Sequence, residues 1–127
     1  MSQAEKNKAL VLRLVEIVNA SQLAALEEVA DGQFAEQARR WIGPFRDSFP
    51  DFRIEVREVI AEGDEVVGHF ECSGTQRREW RGIPGSGRRF ENVTEIYAFR
   101  VQGGRLSAAI AVDEDDLTRM RQLGIRL

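Results

Sequence analysis

Apolar residues repeat at the spacing of an α-helix in the first part of the chain. Leu10, Leu14 and Ile17 fall on one face of a first helix, which we predict over residues 3–19. Ser2, with Glu5 three residues later, matches the capping-box pattern that starts a helix. The chain is therefore expected to begin with an amphipathic helix.

Two further helices are predicted before residue 50. Ser21 can cap the second helix, and Asp31-Gly32 would end it. The third helix includes Phe34 and is predicted to break at Gly43-Pro44, because proline disfavours helical backbone in the residue before it. Residues 45–49 would then add one more turn.

After Pro50 the apolar period changes from that of a helix to that of a strand. Four strands are predicted, over residues 52–60, 66–75, 89–101 and 106–112. A long loop over residues 77–87 separates the second strand from the third, and a short helix ends the chain at residues 116–124. Helices followed by antiparallel strands predict an α+β fold, with the helices packed on the concave face of a curved sheet. We expect all 127 residues to form one domain.

Composition and charge limit the classes of function. Hydrophobic residues make up 43% of the chain and charged residues 31%, which is typical of a folded domain. Eighteen Lys and Arg mixed with 21 Asp and Glu give a net charge of -3, so a nucleic-acid partner is not expected. The single cysteine, Cys72, and the lack of a Cys/His cluster predict no metal and no cofactor. With no signal-like N-terminus and no apolar run near the roughly 20 residues that span a bilayer, we expect a cytoplasmic protein without a membrane partner.

Several short motifs occur in a fixed order along the chain. They are Phe-Pro-Asp-Phe-Arg at 49–53, Ile-Ala-Glu-Gly-Asp-Glu-Val-Val at 60–67, Gly-Thr at 74–75, Gly-Ile-Pro-Gly-Ser-Gly-Arg at 82–88 and Gln-Leu-Gly at 122–124. This set resembles the SnoaL-like polyketide cyclases, or ester cyclases, of the nuclear transport factor 2-like superfamily. The resemblance covers most of the chain from Lys6 onward. It implies a cone-shaped fold around a pocket for a small hydrophobic ligand, and a homodimer formed through the outer sheet face.

The chain departs from the family pattern at three places. Gln76 stands where members usually carry histidine after the Gly-Thr pair, and Ala108-Ala109-Ile110 replaces a Glu-His-Trp run in the last strand. Residues 29–34 are too short for the pocket-wall segment that members carry there. The resemblance therefore does not by itself imply that this chain catalyses the intramolecular aldol cyclisation of the family. The acidic residue that acts as acid or base in the family has its best match in Asp113, with Glu114 or Asp115 as alternatives.

Asp113 is also a candidate acid or base by its position in the last strand. Strand alternation puts it on one face with Ser107, Ala109 and Ala111, whose small side chains would leave a cavity beside the carboxylate. An apolar wall raises the pKa of a carboxyl group toward neutrality, where acid–base catalysis works best. Alternatively, Asp113 starts a solvated acidic turn and helps to cap the last helix.

Glu95 is the second candidate catalytic carboxylate. It alternates with Val93, Tyr97 and Phe99, whose apolar character marks that face of the third strand as buried. A buried carboxylate indicates either a functional site or an internal ion pair. A bulge near Asn92 or Thr94 would instead reverse the alternation and expose Glu95.

Other side chains are candidates for substrate binding. Tyr97 and Gln76 could donate hydrogen bonds to a substrate oxygen, and Trp80 and Ile83 lie in the loop where family members cover the pocket mouth. Trp41 is predicted in the core, within reach of the cavity. His69 is predicted on the outer sheet face, because it alternates with Val67 and Glu71. The substrate-binding candidates are Tyr97, Gln76, Trp80, Trp41, Phe70 and Ile83.

Three hypotheses for function follow. The first is a cofactor-independent acid–base enzyme acting on a small hydrophobic carbonyl or polyketide-like compound, as a cyclase, a lyase or an isomerase of the ketosteroid-isomerase type. The second is a non-catalytic small-molecule-binding or dimerisation module. The third is a water-activating enzyme resembling an epoxide hydrolase. It would need an Asp-Arg-Asp group in the pocket, for which Arg100 and Asp113 are the nearby candidates.

Overall fold

A computed structural model describes residues 1–126, and it has the α+β architecture that the sequence predicts. The elements are helix α1 (Gln3–Asn19), a short 3-10 helix (Leu23–Glu28), helix α2 (Gly32–Ser48), strands β1 (Arg53–Glu62), β2 (Glu65–Thr75), β3 (Arg89–Gln102) and β4 (Arg105–Glu114), and helix α3 (Asp116–Gln122). The four strands form one antiparallel sheet in the order β1-β2-β3-β4. Each strand therefore pairs with its neighbour in sequence.

Helix α1 begins as the sequence predicts, whereas α2 does not break. Both hydrogen bonds of the capping box form between Ser2 and Glu5. Asp31, predicted to end a helix, instead caps α2 by accepting a 2.8 Å hydrogen bond from the Phe34 N–H. The predicted break at Gly43-Pro44 is wrong, since α2 continues to Ser48. Its apolar face continues to Phe45, which packs against the core and offsets the hydrogen bond that proline cannot donate.

The sheet contains β-bulges that set which face each side chain occupies. The register of β3 shifts near Asn92, whose φ is 54°, before the strand resumes regular pairing at Val93. Strand β4 carries two shifts: Ser107 is the extra residue in the first and Ile110 in the second. Because one extra residue reverses the alternation that follows, these bulges decide the orientation of the strand ends.

The core lies between the helices and the inner face of the sheet. Helix α1 packs on β1 and β2 and buries Val11, Ile17 and Val18. The buried strand residues that meet the helices include Val66 of β2 and Val93 of β3. No helix of the described residues is long and apolar enough to cross a membrane. The helices thus cover one face of the sheet, and the other face stays exposed.

We predict that Gly68→Ala destabilises the fold. A Cβ at Gly68 would overlap Cζ of the Phe70 ring and lie 2.8 Å from its Cε2 atom. Since the ring must then leave its buried position beside Tyr97, the free energy of unfolding should fall by roughly 1–3 kcal/mol. Urea denaturation would measure this change.

Gly32→Ala is the matched control. A Cβ at Gly32, the first residue of α2, would have no atom within 4 Å. Alanine should therefore raise the free energy of unfolding by about 0.5–1 kcal/mol. Equal effects of the two substitutions would contradict the packing argument.

Candidate functional site

An apolar cavity of about 570 Å³ lies between the helices and the inner face of the sheet. Helix α1 lines it with Leu14 and Val18, helix α2 with Phe34 and Phe45, and the sheet with Phe70. Most of its wall is therefore hydrocarbon. Such a wall favours a small hydrophobic ligand and gives weak solvation to any charge that it encloses.

Glu95 and Arg119 form a buried ion pair in the wall of this cavity. The Glu95 residue is 6% exposed, and Arg119, which comes from α3, is 1% exposed. One terminal nitrogen of Arg119 donates to Oε2 of Glu95, and the other donates to Asp116 and lies 3.6 Å from Glu114. The guanidinium group also lies 4.8 Å from the centre of the Phe90 ring. One buried cation thus contacts three carboxylates.

The pKa of Glu95 is well above that of an ordinary carboxyl group. Burial raises the pKa of Glu95 to about 7; Arg119 opposes this shift, and Glu114 adds to it by charge repulsion. A carboxyl group that exchanges a proton near neutral pH can serve as a general base or a general acid. Glu95 therefore has both the position and the proton affinity for acid–base chemistry.

Tyr97 joins this group from the same strand. Its hydroxyl donates a 2.5 Å hydrogen bond to Oε1 of Glu114, and its ring stacks on Trp41 with centroids 5.2 Å apart. Burial raises the pKa of Tyr97, so its hydroxyl remains a neutral hydrogen-bond donor. Trp41 is 40% exposed and lines the cavity, so its predicted core position is corrected to one partly in solvent.

Asp113 does not lie in the cavity, and its predicted orientation is wrong. The bulge at Ile110 reverses the alternation of β4, so Asp113 pairs with Ile96 and is exposed. Its neighbour Glu114 pairs with Glu95 instead and lines the cavity. Glu114 was one of the alternatives that the sequence left open, and the structure places it beside the buried pair.

Gln76 and Ile83 also fall outside the cavity wall. Gln76 is fully buried beneath the loop of residues 77–87, where its amide nitrogen donates to the carbonyl of Ile83 at 2.9 Å and to that of Pro84 at 3.2 Å. The backbone of Ile83 pairs with Trp80. Gln76 therefore holds the loop together, because its donors bind loop carbonyls and face no ligand.

The structure brings five of the predicted site residues together at the cavity: Glu95, Tyr97, Phe70, Trp80 and Trp41. The predicted bulge near Asn92 is also present, yet Glu95 stays buried because regular pairing resumes at Val93. Sequence reasoning missed Arg119. One signal could have indicated it: Arg119 is four residues before Leu123, so both share a helix face, and Leu123 is buried.

The fold and the cavity define an α+β small-molecule-pocket domain. The family model of the SnoaL-like polyketide cyclases matches residues 8–123, and the chain belongs to that family. No match was found among curated proteins. In the described part of the chain, no group of three or more His, Cys, Asp or Glu is arranged to hold a metal ion.

Solved structures with the same fold share few residues with this chain. TsrD from Streptomyces laurentii has a TM-score of 0.88 and 23% identity, with 99% of each chain covered. AclR from Streptomyces galilaeus, described as a candidate hydroxylase, has a TM-score of 0.82 and 18% identity over 96% of this chain and 98% of that one. IdmH from Streptomyces antibioticus, described as a candidate polyketide cyclase, has a TM-score of 0.77 and 24% identity over 94% and 99%. At these identities the similarity establishes the fold and not the activity.

We predict that Glu95 makes the stability of the fold depend on pH. Its pKa is raised from 4.5 to about 7 in the folded chain, so the folded state holds a proton that the unfolded state releases between these values. The contribution of Glu95 to the free energy of unfolding is therefore full below pH 4.5 and falls as the pH rises to about 7, by at most about 3 kcal/mol.

Denaturation of the wild type and of Glu95→Gln across this pH range measures that contribution. The difference in free energy between the two proteins should decrease from pH 4.5 to pH 7. Asp113→Asn, which changes an exposed carboxylate on the outer face, should give a nearly constant difference. A constant difference for Glu95→Gln would show that Glu95 does not titrate in this range.

Proposed function

We propose that this chain is a cofactor-independent acid–base enzyme acting on a small hydrophobic carbonyl compound of the polyketide type, as a cyclase or an isomerase. Its membership of the SnoaL-like polyketide cyclase family supports a role of the cyclase type. The observation that carries the proposal is the position of Glu95, a buried carboxyl group with a pKa of about 7, in the wall of an apolar cavity.

Glu95 would act as the general base. Arg119 binds its Oε2 atom, so Oε1 is the oxygen that takes the proton from a carbon next to the substrate carbonyl. The electron pair of the broken C–H bond moves to form the enolate, whose oxygen would accept a hydrogen bond from Tyr97. The hydroxyl of Tyr97 would turn from Glu114 to this oxygen as negative charge develops.

The enolate can then react in two ways. Return of the proton from Glu95 to a different carbon gives an isomer. Attack of the enolate carbon on a second carbonyl of the same molecule closes a ring, and the proton on Glu95 passes to the new alkoxide. Both routes return Glu95 to its starting state, so neither consumes a cofactor.

Hydrolysis by an activated water is a second candidate function. Arg100 lies on the outer face, to which strand alternation turns it away from Glu95, and it pairs with Glu65 at 3.7 Å, so it does not supply the arginine of an Asp-Arg-Asp group. Arg119, however, lies between Glu95 and Asp116, which gives a carboxylate–arginine–carboxylate group beside the cavity. Glu95 could there take a proton from water, which would attack an epoxide or ester.

We predict that Glu95→Gln slows turnover by about 10²–10⁴-fold, because the amide cannot take a proton. Since the substrate is not identified, the assay would use a panel of aromatic β-diketones and 2-tetralones in D₂O. Proton NMR follows loss of the hydrogen next to the carbonyl. Hydrolysis is tested separately with styrene oxide in ¹⁸O-water, where mass spectrometry detects ¹⁸O in the product.

Asp113→Asn is the matched control and should keep wild-type exchange rates, since its carboxylate is exposed on the outer face. Equal exchange by Glu95→Gln and the wild type would remove Glu95 from the mechanism. Ligand binding without exchange or ¹⁸O incorporation in the wild type would favour the non-catalytic binding module.

We also propose that the protein forms a homodimer and that it is cytoplasmic. One apolar residue from each strand forms a row across the exposed sheet face: Ile60, Val67, Ala98 and Ala111 are paired in register. Val67 is 37% exposed and Ile60 is 55% exposed, so both offer apolar area to a second copy. His69 pairs with Ile96 in the next row, in line with its predicted outer position.

The single cysteine, Cys72, is free and buried, which suits a reducing compartment.

We predict that Val67→Arg prevents dimer formation, because it puts a charge in the centre of this row. Light scattering after gel filtration would then give the mass of one chain, whereas the wild type gives that of two. Leu12→Arg, at a residue of α1 that is 43% exposed on another part of the surface, is the control and should remain dimeric. A monomeric wild type would refute the proposed assembly.

A further inference from the structure

We propose that Arg119 is the positioning residue of this site: from α3 it fixes the Glu95 carboxylate in the cavity wall and keeps it available for proton exchange. This proposal rests on the proposed function, since it assigns a role relative to Glu95 as the base. It differs from a purely structural role because it predicts a change in the titration of another residue.

The position of Arg119 is determined by contacts on several sides. Its guanidinium lies 4.8 Å from the centre of the Phe90 ring and 5.4 Å from that of Phe45, and its terminal nitrogens bind carboxylates. Helix α3 is held in turn by Asp115, whose side chain accepts a hydrogen bond from the Thr118 N–H at 3.1 Å. Arg119 has therefore little freedom to move, and it can hold Glu95 in one orientation.

The three carboxylates that contact Arg119 differ in their access to solvent. The side chain of Glu95 is 7% exposed, compared with 22% for Glu114 and 33% for Asp116. Asp116 also accepts from a second cation, Arg81 of the loop, at 2.9 Å. Glu95 is the least exposed of the three, and Arg119 is the cation that contacts it, so it depends on Arg119 more than the other two carboxylates do.

Two other groups around Glu95 act on its charge in opposite directions. Glu114 faces it from β4 and raises the pKa of Glu95 by charge repulsion, whereas Cys72 of β2 lowers that pKa through a side-chain hydrogen bond. Tyr97 lies two residues along β3. Helices α1 and α2 line the cavity mainly with apolar side chains, and α2 adds Asp47. Arg119 is the cation that lowers the pKa of Glu95 against burial and against Glu114.

Arg119→Met should therefore raise the pH at which Glu95 titrates. Methionine keeps an unbranched apolar stem but carries no charge, so burial and Glu114 continue to raise the pKa of Glu95. The carboxyl carbons of ¹³C-labelled glutamate would be followed by NMR from pH 4 to pH 10, and Glu95→Gln would identify the Glu95 signal. We expect the midpoint to rise by about 1 pH unit or more.

Arg119→Lys and Arg121→Met complete the series. Lysine keeps the charge but replaces a planar group that reaches several carboxylates with a single ammonium, so a smaller upward shift is expected. Arg121 is an exposed residue of the same helix, and its substitution should leave the midpoint unchanged. Amide NMR spectra of each variant would show that the fold is intact.

An upward shift in Arg119→Met, a smaller one in Arg119→Lys and none in Arg121→Met would support the proposal. An unchanged midpoint in folded Arg119→Met would overturn it, and if that variant does not fold, an unchanged midpoint in Arg119→Lys would do so. The titration needs no substrate. A wild type that lacks turnover on every probe would therefore refute the proposed function without altering this result.

Discussion

The contact between Glu95 and Arg119 links the C-terminal helix to the inner face of the sheet. Burying either charge alone would cost several kcal/mol, so each residue needs the other in place. Arg119 also meets Asp116, which binds Arg81 of the loop that covers the cavity. A single buried pair therefore holds α3 against the sheet, connects it to the loop through Asp116 and fixes the Glu95 carboxylate.

Local sequence patterns predicted most of the architecture. The capping box at Ser2 and Glu5 and the change of apolar period after Pro50 gave the helix start and the strands, because both signals depend on neighbouring residues. The continuous helix through Pro44 was not predictable in this way. Its stability comes from packing Phe45 against strands and the loop, and these contacts form only in the folded chain.

The site was less predictable than the fold because strand alternation holds only between bulges. Glu95 follows the bulge at Asn92 and keeps the predicted face, whereas Asp113 follows the bulge at Ile110 and changes face. No local signal in the Ala-rich segment around Ile110 marks an extra residue. The role of Gln76 was also not predictable from the sequence. Its buried amide binds loop carbonyls, and these partners depend on the conformation of the whole loop.

One of the three departures of this chain from the family pattern lies in β4, and it agrees with a site that does not depend mainly on this strand. Ala108-Ala109-Ile110 replaces the Glu-His-Trp run, and Asp113, the best match to the family's acidic residue, faces solvent. The inner side of β4 keeps one acidic group, Glu114, which is bound to Tyr97. Because β3 and α3 supply the most buried charged groups of the described chain, the proposed acid–base chemistry would depend on Glu95 and Arg119.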